Sequence, residues 1–86
     1  MFIEAMADAA VADGMPRAQA YRFAAQAVLG SAKMVLETGK HPGELKDMVC
    51  SPGGTTIEGI AALQDAGFEA GVRKSVDAAL EKDRRL

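Results

Sequence analysis

Apolar residues recur along this chain at intervals of three and four, the spacing that lines side chains along one helical face, and glycine and proline cut the recurrence into segments. A first helix is predicted over Phe2 to about Asp13, with Ile3, Met6, Ala7, Ala10 and Val11 inward, and Gly14 suits the left-handed residue that stops a helix. Pro16 fits the first turn of a second helix, which runs to Thr38 and meets Gly39. Pro42 opens a short helical turn carrying Leu45, Met48 and Val49 inward. A fourth helix starts where Thr55 and Glu58 have the spacing of a capping box, and it turns Ile57, Ile60, Ala61 and Leu63 to the core. Gly67 ends it. The last helix spans Phe68 to about Arg84, burying Phe68, Val72, Val76, Ala79 and Leu80, with Arg84 and Arg85 suiting the negative end of its dipole. Strict alternation never lasts the length of a strand, and Val and Ile are sparse, so the fold class is all-α, a bundle of about five helices.

The second helix is the most informative. At 100° per residue, Gln19, Arg22, Gln26, Lys33 and Glu37 fall within about 60° of one another. Ser31 apart, the remaining circumference is essentially apolar. Tyr21, Phe23, Val28, Met34, Val35 and Leu36 need more cover than the few other helices of the chain can give. Gly30, with Ala24, Ala27 and Ala32 nearby, leaves room for another helix to approach closely. Two readings stand at this point: a monomeric bundle built around a buried helix, or pairing with a second copy.

Size sharpens the choice. A chain of 86 residues and 9.0 kDa makes one domain, and a core that small usually contributes only a few kcal/mol, so docking against a partner is a large gain. The formal charge is −2 with ten basic residues scattered along the chain, which argues against nucleic acid as a partner. No apolar run approaches the roughly 18 to 20 residues that span a bilayer, and Glu4 and Asp8 stand where a signal peptide is basic. A cytoplasmic, membrane-free location is the expectation, and the single cysteine, Cys50, fits a reducing compartment. Nothing caps Phe2, so the chain is expected to have been entered from a missing upstream element or cut inside a longer helix.

The segment from Ser51 to Thr56 concentrates the candidate chemistry. It joins three hydroxyls, two consecutive glycines and a helix start, where unpaired N–H groups and the helix dipole favour an anion such as a carboxylate or phosphate. A plain Pro-Gly turn with an ordinary threonine cap has the same composition. His41, the single histidine, has no acidic or thiol partners at ligand spacing; no metal site is expected, and a surface or capping role fits it. Cys50 has no adjacent histidine or base to activate it and reads as a packed small hydrophobe. Neither G-x-G-x-x-G after a strand nor G-x-x-x-x-G-K-[ST] occurs, so no nucleotide site can be placed on these residues.

The stretch Asp47-Met48-Val49-Cys50-Ser51-Pro52-Gly53-Gly54-Thr55-Thr56-Ile57-Glu58-Gly59 resembles the signature of pyrroline-5-carboxylate reductases. Phe2-Ile3-Glu4-Ala5, Gly14-Met15-Pro16-Arg17, His41-Pro42 with Leu45, and Ala66-Gly67-Phe68 extend the resemblance over nearly the whole chain. It implies the helical C-terminal domain of such an enzyme, similar to the 6-phosphogluconate dehydrogenase C-terminal fold and completed by an interlocked homodimer. It further implies an N-terminal Rossmann domain, absent from these residues, that holds NAD(P)H for reduction of 1-pyrroline-5-carboxylate to L-proline. Carried over residue by residue, Ser51 and the N–H groups of Gly54, Thr55 and Thr56 would hold the substrate carboxylate, and Thr56 would also place its hydroxyl at the ring nitrogen. Cys50 departs from the family's usual Ser or Thr, and Gln64 from its common Glu.

The expected function is dimerisation and carboxylate binding within a proline-forming reductase, without turnover by this chain alone because it brings no hydride donor. The competing expectations are a stand-alone helical dimerisation protein without catalysis and a free-standing carboxylate binder.

Overall fold

The computed structural model describes residues 1–84. The expected pairing of Arg85 with the end of the last helix lies outside the described residues, as does the side chain of Arg84. The elements are α1 (Phe2–Ala12), α2 (Arg17–Thr38), α3 (Pro42–Val49), α4 (Thr55–Asp65) and α5 (Phe68–Arg84), and no strand occurs among the described residues. Packing divides the chain into two units, Met1–Leu45 and Lys46 onward, with the division inside α3.

In the first unit, α1 ends on a Schellman motif. Gly14 takes φ +108°, its N–H reaches the carbonyl of Val11 at 2.9 Å, and the N–H of Met15 reaches that of Ala10 at 3.0 Å. Two orphan carbonyls are thereby satisfied, and Met15 folds back onto the apolar cluster. Pro16 precedes α2 as its cap residue, one position earlier than the expected first turn, because its ψ of 140° is extended. Its carbonyl nonetheless accepts the first helical N–H, from Ala20, at 2.9 Å. Gly39 ends α2 at φ +68°, as its position predicted.

The face of α1 expected to turn inward does so. Ala7 is fully buried, and Ile3, Met6, Ala10 and Val11 pack around Ala7, Ala20 and Ala24. Small residues at the seam let the two helices approach closely. Arg17 ties the same junction from outside, pairing with Asp8 and lying 5.6 Å over the Tyr21 ring. The hydrogen bond to Asp8 holds the guanidinium protonated above its ordinary range.

Only one face of α2 is covered. Ala20 and Ala24 are buried and Val28 and Val35 half-buried, whereas Phe23, Leu29, Met34 and Leu36 stand exposed, Leu36 at 84%. Among the described residues of its own unit, nothing approaches Gly30 within 4 Å of where a Cβ would be. The other elements of the first unit therefore leave part of α2 uncovered.

The second unit corrects several expected inward positions. No described residue in it is buried; Met48, Val49, Ile57, Leu63, Phe68, Val72, Val76 and Leu80 are all exposed, as are Ala61 and Ala79. Ile60 is partly covered as expected, and so is Leu45 at the end of the first unit. Helical spacing fixes which side chains share a face; it does not supply a surface to meet them. Along α5, Phe68, Val72, Val76 and Leu80 recur every fourth residue and form one apolar stripe.

Candidate functional site

The site is built on a turn between α3 and α4. Pro52 fixes its own φ near −65°, and Gly53 takes φ +68°, so the corner Ser51-Pro52-Gly53-Gly54 is a type II turn. The N–H of Gly54 closes it onto the carbonyl of Ser51 at 3.0 Å. Gly54 is extended, at φ −79° and ψ 172°, and stands as the cap residue of α4.

That placement overturns the expected capping box. Thr55 is the first helical residue rather than the cap, and no side chain caps α4. The turn hydrogen bond holds the last extended residue at Gly54, so the helix begins one position sooner than the Thr55–Glu58 spacing predicts. The first helical bond runs from Glu58 N–H to the Gly54 carbonyl at 3.5 Å. The N–H groups of Thr55, Thr56 and Ile57 consequently have no backbone acceptor among the described residues.

Ser51, Gly54, Thr55 and Thr56 are thus gathered at one helix start. Ser51, Thr55 and Thr56 are exposed, while Gly54 is partly covered. The side chain of Ser51 folds back over the α-carbon of Gly54, where a Cβ would overlap its Oγ. Unpaired N–H groups, the positive end of the α4 dipole and adjacent hydroxyls suit a carboxylate, whose charge there is stabilised by about 0.3–1 kcal/mol, or nearer 2 kcal/mol when partly buried. Sequence reasoning found these four residues but missed Ile57, which is the third residue of a helix capped at Gly54 and so has its N–H in the unpaired set. The Ser-Pro-Gly-Gly run, a type II signature, carries that signal.

The neighbouring candidates resolve into support. His41 caps α3, its Nδ1 accepting the Gly43 N–H at 2.9 Å, and its carbonyl takes the N–H groups of Glu44 and Leu45 at 2.9 and 3.1 Å. Cys50 is partly covered, with its N–H on the Asp47 carbonyl at 3.2 Å. Gln64 donates to Glu69 at 3.3 Å, across the α4–α5 corner that Gly67 makes at φ +81°. Among the described residues no three His, Cys, Asp or Glu come together as metal ligands. Among the described residues no strand leads into a glycine turn.

The whole chain, residues 1–86, matches the family model described as pyrroline-5-carboxylate reductase dimerisation. It is 70% identical over 86 residues to the pyrroline-5-carboxylate reductase of Escherichia coli (strain K12), covering all of this chain and 32% of that protein. Against the Methanosarcina acetivorans reductase the identity is 60% over 84 residues, 98% of this chain and 31% of the relative. The chain therefore spans about a third of the length of the curated relatives it matches. Among solved structures, 1-pyrroline-5-carboxylate reductase from Streptococcus pyogenes superposes with a TM-score of 0.95 at 40% identity, over 99% of this chain and 33% of that one. The Plasmodium falciparum pyrroline carboxylate reductase, solved with NADP bound, superposes with a TM-score of 0.90 at 37% identity, over 94% and 31% respectively.

Proposed function

The chain belongs to the pyrroline-5-carboxylate reductase dimerisation family, and from that membership we propose that it serves as the helical dimerisation and substrate-binding domain of a proline-forming reductase. The supporting observation is the turn-closed helix start at Ser51–Thr56, which offers hydroxyls and unpaired N–H groups to one anion. Ser51, Thr55 and Thr56 take the substrate carboxylate there, while Gly54, whose N–H is donated to the Ser51 carbonyl, shapes the turn beside them. Fixing the carboxylate orients the ring, and the Thr56 hydroxyl holds the proton at the imine nitrogen as the neighbouring carbon is reduced. A reduced nicotinamide, held outside these residues, supplies the hydride.

The partner is a second copy of the chain. The exposed flanks of α2 and the α5 stripe offer apolar surface of the kind that protein contacts cover, and pairing puts that surface to use. No helix among the described residues is long and apolar enough to cross a membrane; a cytoplasmic biosynthetic role fits the reading.

Titration of the chain with L-proline, followed by amide shifts, tests the site. Shifts confined to residues 51–57 are expected, and a response elsewhere or none at all defeats the carboxylate assignment. An NAD(P)H-coupled assay on the chain alone should register no turnover; clear activity would contradict the division of labour with a cofactor domain.

A further inference from the structure

Two observations at the turn assign Gly54 a part different from that of its neighbours. Its N–H is already donated to the Ser51 carbonyl at 3.0 Å, whereas those of Thr55, Thr56 and Ile57 have no backbone acceptor among the described residues. Its φ of −79° lies where any residue can go, so the backbone does not require glycine there. What requires glycine is space. An added Cβ would overlap Ser51 Oγ, come within 3.2 Å of the Ser51 carbonyl oxygen, and reach the Ser51 Cβ at an ordinary 3.6 Å.

We propose that Gly54 is a positioning residue for Ser51: the place of its missing side chain is filled by the Ser51 hydroxyl, which is thereby held against the open end of α4. Gly54 contributes to carboxylate capture through that vacancy, while the N–H groups of Thr55, Thr56 and Ile57 do the donating. Ser51 and Gly54 act as a unit, closed once by the backbone hydrogen bond and once by the side chain lying on the α-carbon. A pair acting this way responds non-additively to substitution. The inference rests on the carboxylate reading proposed above, but its geometric half can be tested without ligand.

The experiment is a double-substitution cycle on the chain with Gly54→Ala, Ser51→Ala and both together, read by Ser51 Hα–Hβ couplings and by L-proline titration. Alanine is allowed at this φ and ψ, and circular dichroism checks that each variant keeps its helices. Gly54→Ala is expected to move Ser51 off its side-chain rotamer and to weaken L-proline binding about tenfold or more, the scale of one lost hydrogen bond to a charged group. In the Ser51→Ala background, where no Oγ remains to be displaced and only the 3.2 Å approach to the residue 51 carbonyl persists, the same change should cost several-fold less than in the wild-type background. Unchanged Ser51 couplings in Gly54→Ala would overturn the proposal, and so would equal losses in the two backgrounds. A wild-type chain that ignores L-proline would overturn the carboxylate reading instead, leaving the couplings to decide the positioning.

Discussion

The imidazole Nδ1 of His41 accepts the Gly43 N–H at 2.9 Å, so a histidine serves as the side-chain cap of α3, the helix that leads into the Ser51–Gly54 turn. Gly43 gives the ring room, since a Cβ there would lie 3.1 Å from Nδ1. Replacing His41 by Ala should cost about 1 kcal/mol, the usual worth of a cap, and His41→Asn should recover most of it. Thermal melts of the three chains decide the matter: equal midpoints would mean that the cap contributes nothing.

The seam of α1 and α2 is made of alanines. Ala20 is 1% exposed against a fully buried Ala7, so Ala20→Leu forces extra volume into the seam. A loss of about 1–3 kcal/mol is expected, or a melting point lower by roughly 4–8 °C per kcal/mol. A variant melting with the wild type would show that the helices can part without penalty.

Pairing through the exposed apolar surface makes stability depend on concentration. The melting point of the wild-type chain should rise with protein concentration, and Val76→Asp or Leu36→Asp should shift sedimentation toward the monomer. A wild-type chain that sediments as a stable monomer at micromolar concentration would refute the dimer.

Gly53 and Gly39 both sit at φ +68°, where an alanine costs about 1–2 kcal/mol. Both Gly→Ala changes should lower stability to a similar degree. Only Gly53→Ala should weaken L-proline binding, because only that corner belongs to the proposed site; equal binding losses in the two variants would tie binding to global stability instead.

In the full reductase proposed above, Thr56→Val removes the hydroxyl proposed to meet the imine nitrogen and keeps the side-chain volume. A fall in kcat of roughly a hundredfold, with KM little changed, is expected from steady-state assays. A normal kcat would remove Thr56 from the chemistry.

The sequence revealed helix ends better than helix surroundings. Gly14, Gly39 and Gly67 all have positive φ where chain breaks were read, and α5 runs over the predicted Phe68–Arg84, because glycine's freedom is a local property. The inward face of α1 was equally legible, since its partner α2 belongs to the same chain. Exposure of Val72, Val76 and Leu80 was not legible, because periodicity records a stripe without recording what lies against it. Around the site, composition marked the Ser51–Thr56 segment and the family resemblance singled out Ser51, Gly54, Thr55 and Thr56 within it, but the Thr55–Glu58 spacing concealed the true cap at Gly54. A turn hydrogen bond one residue upstream outweighed that spacing, and only three-dimensional closure reveals it.

Because the Pro52–Gly53 corner is closed by its own hydrogen bond, a carboxylate at the proposed site would meet a receptor that has already taken its shape. Its capture would then proceed at the pace of encounter rather than of loop rearrangement, with little conformational entropy left to surrender.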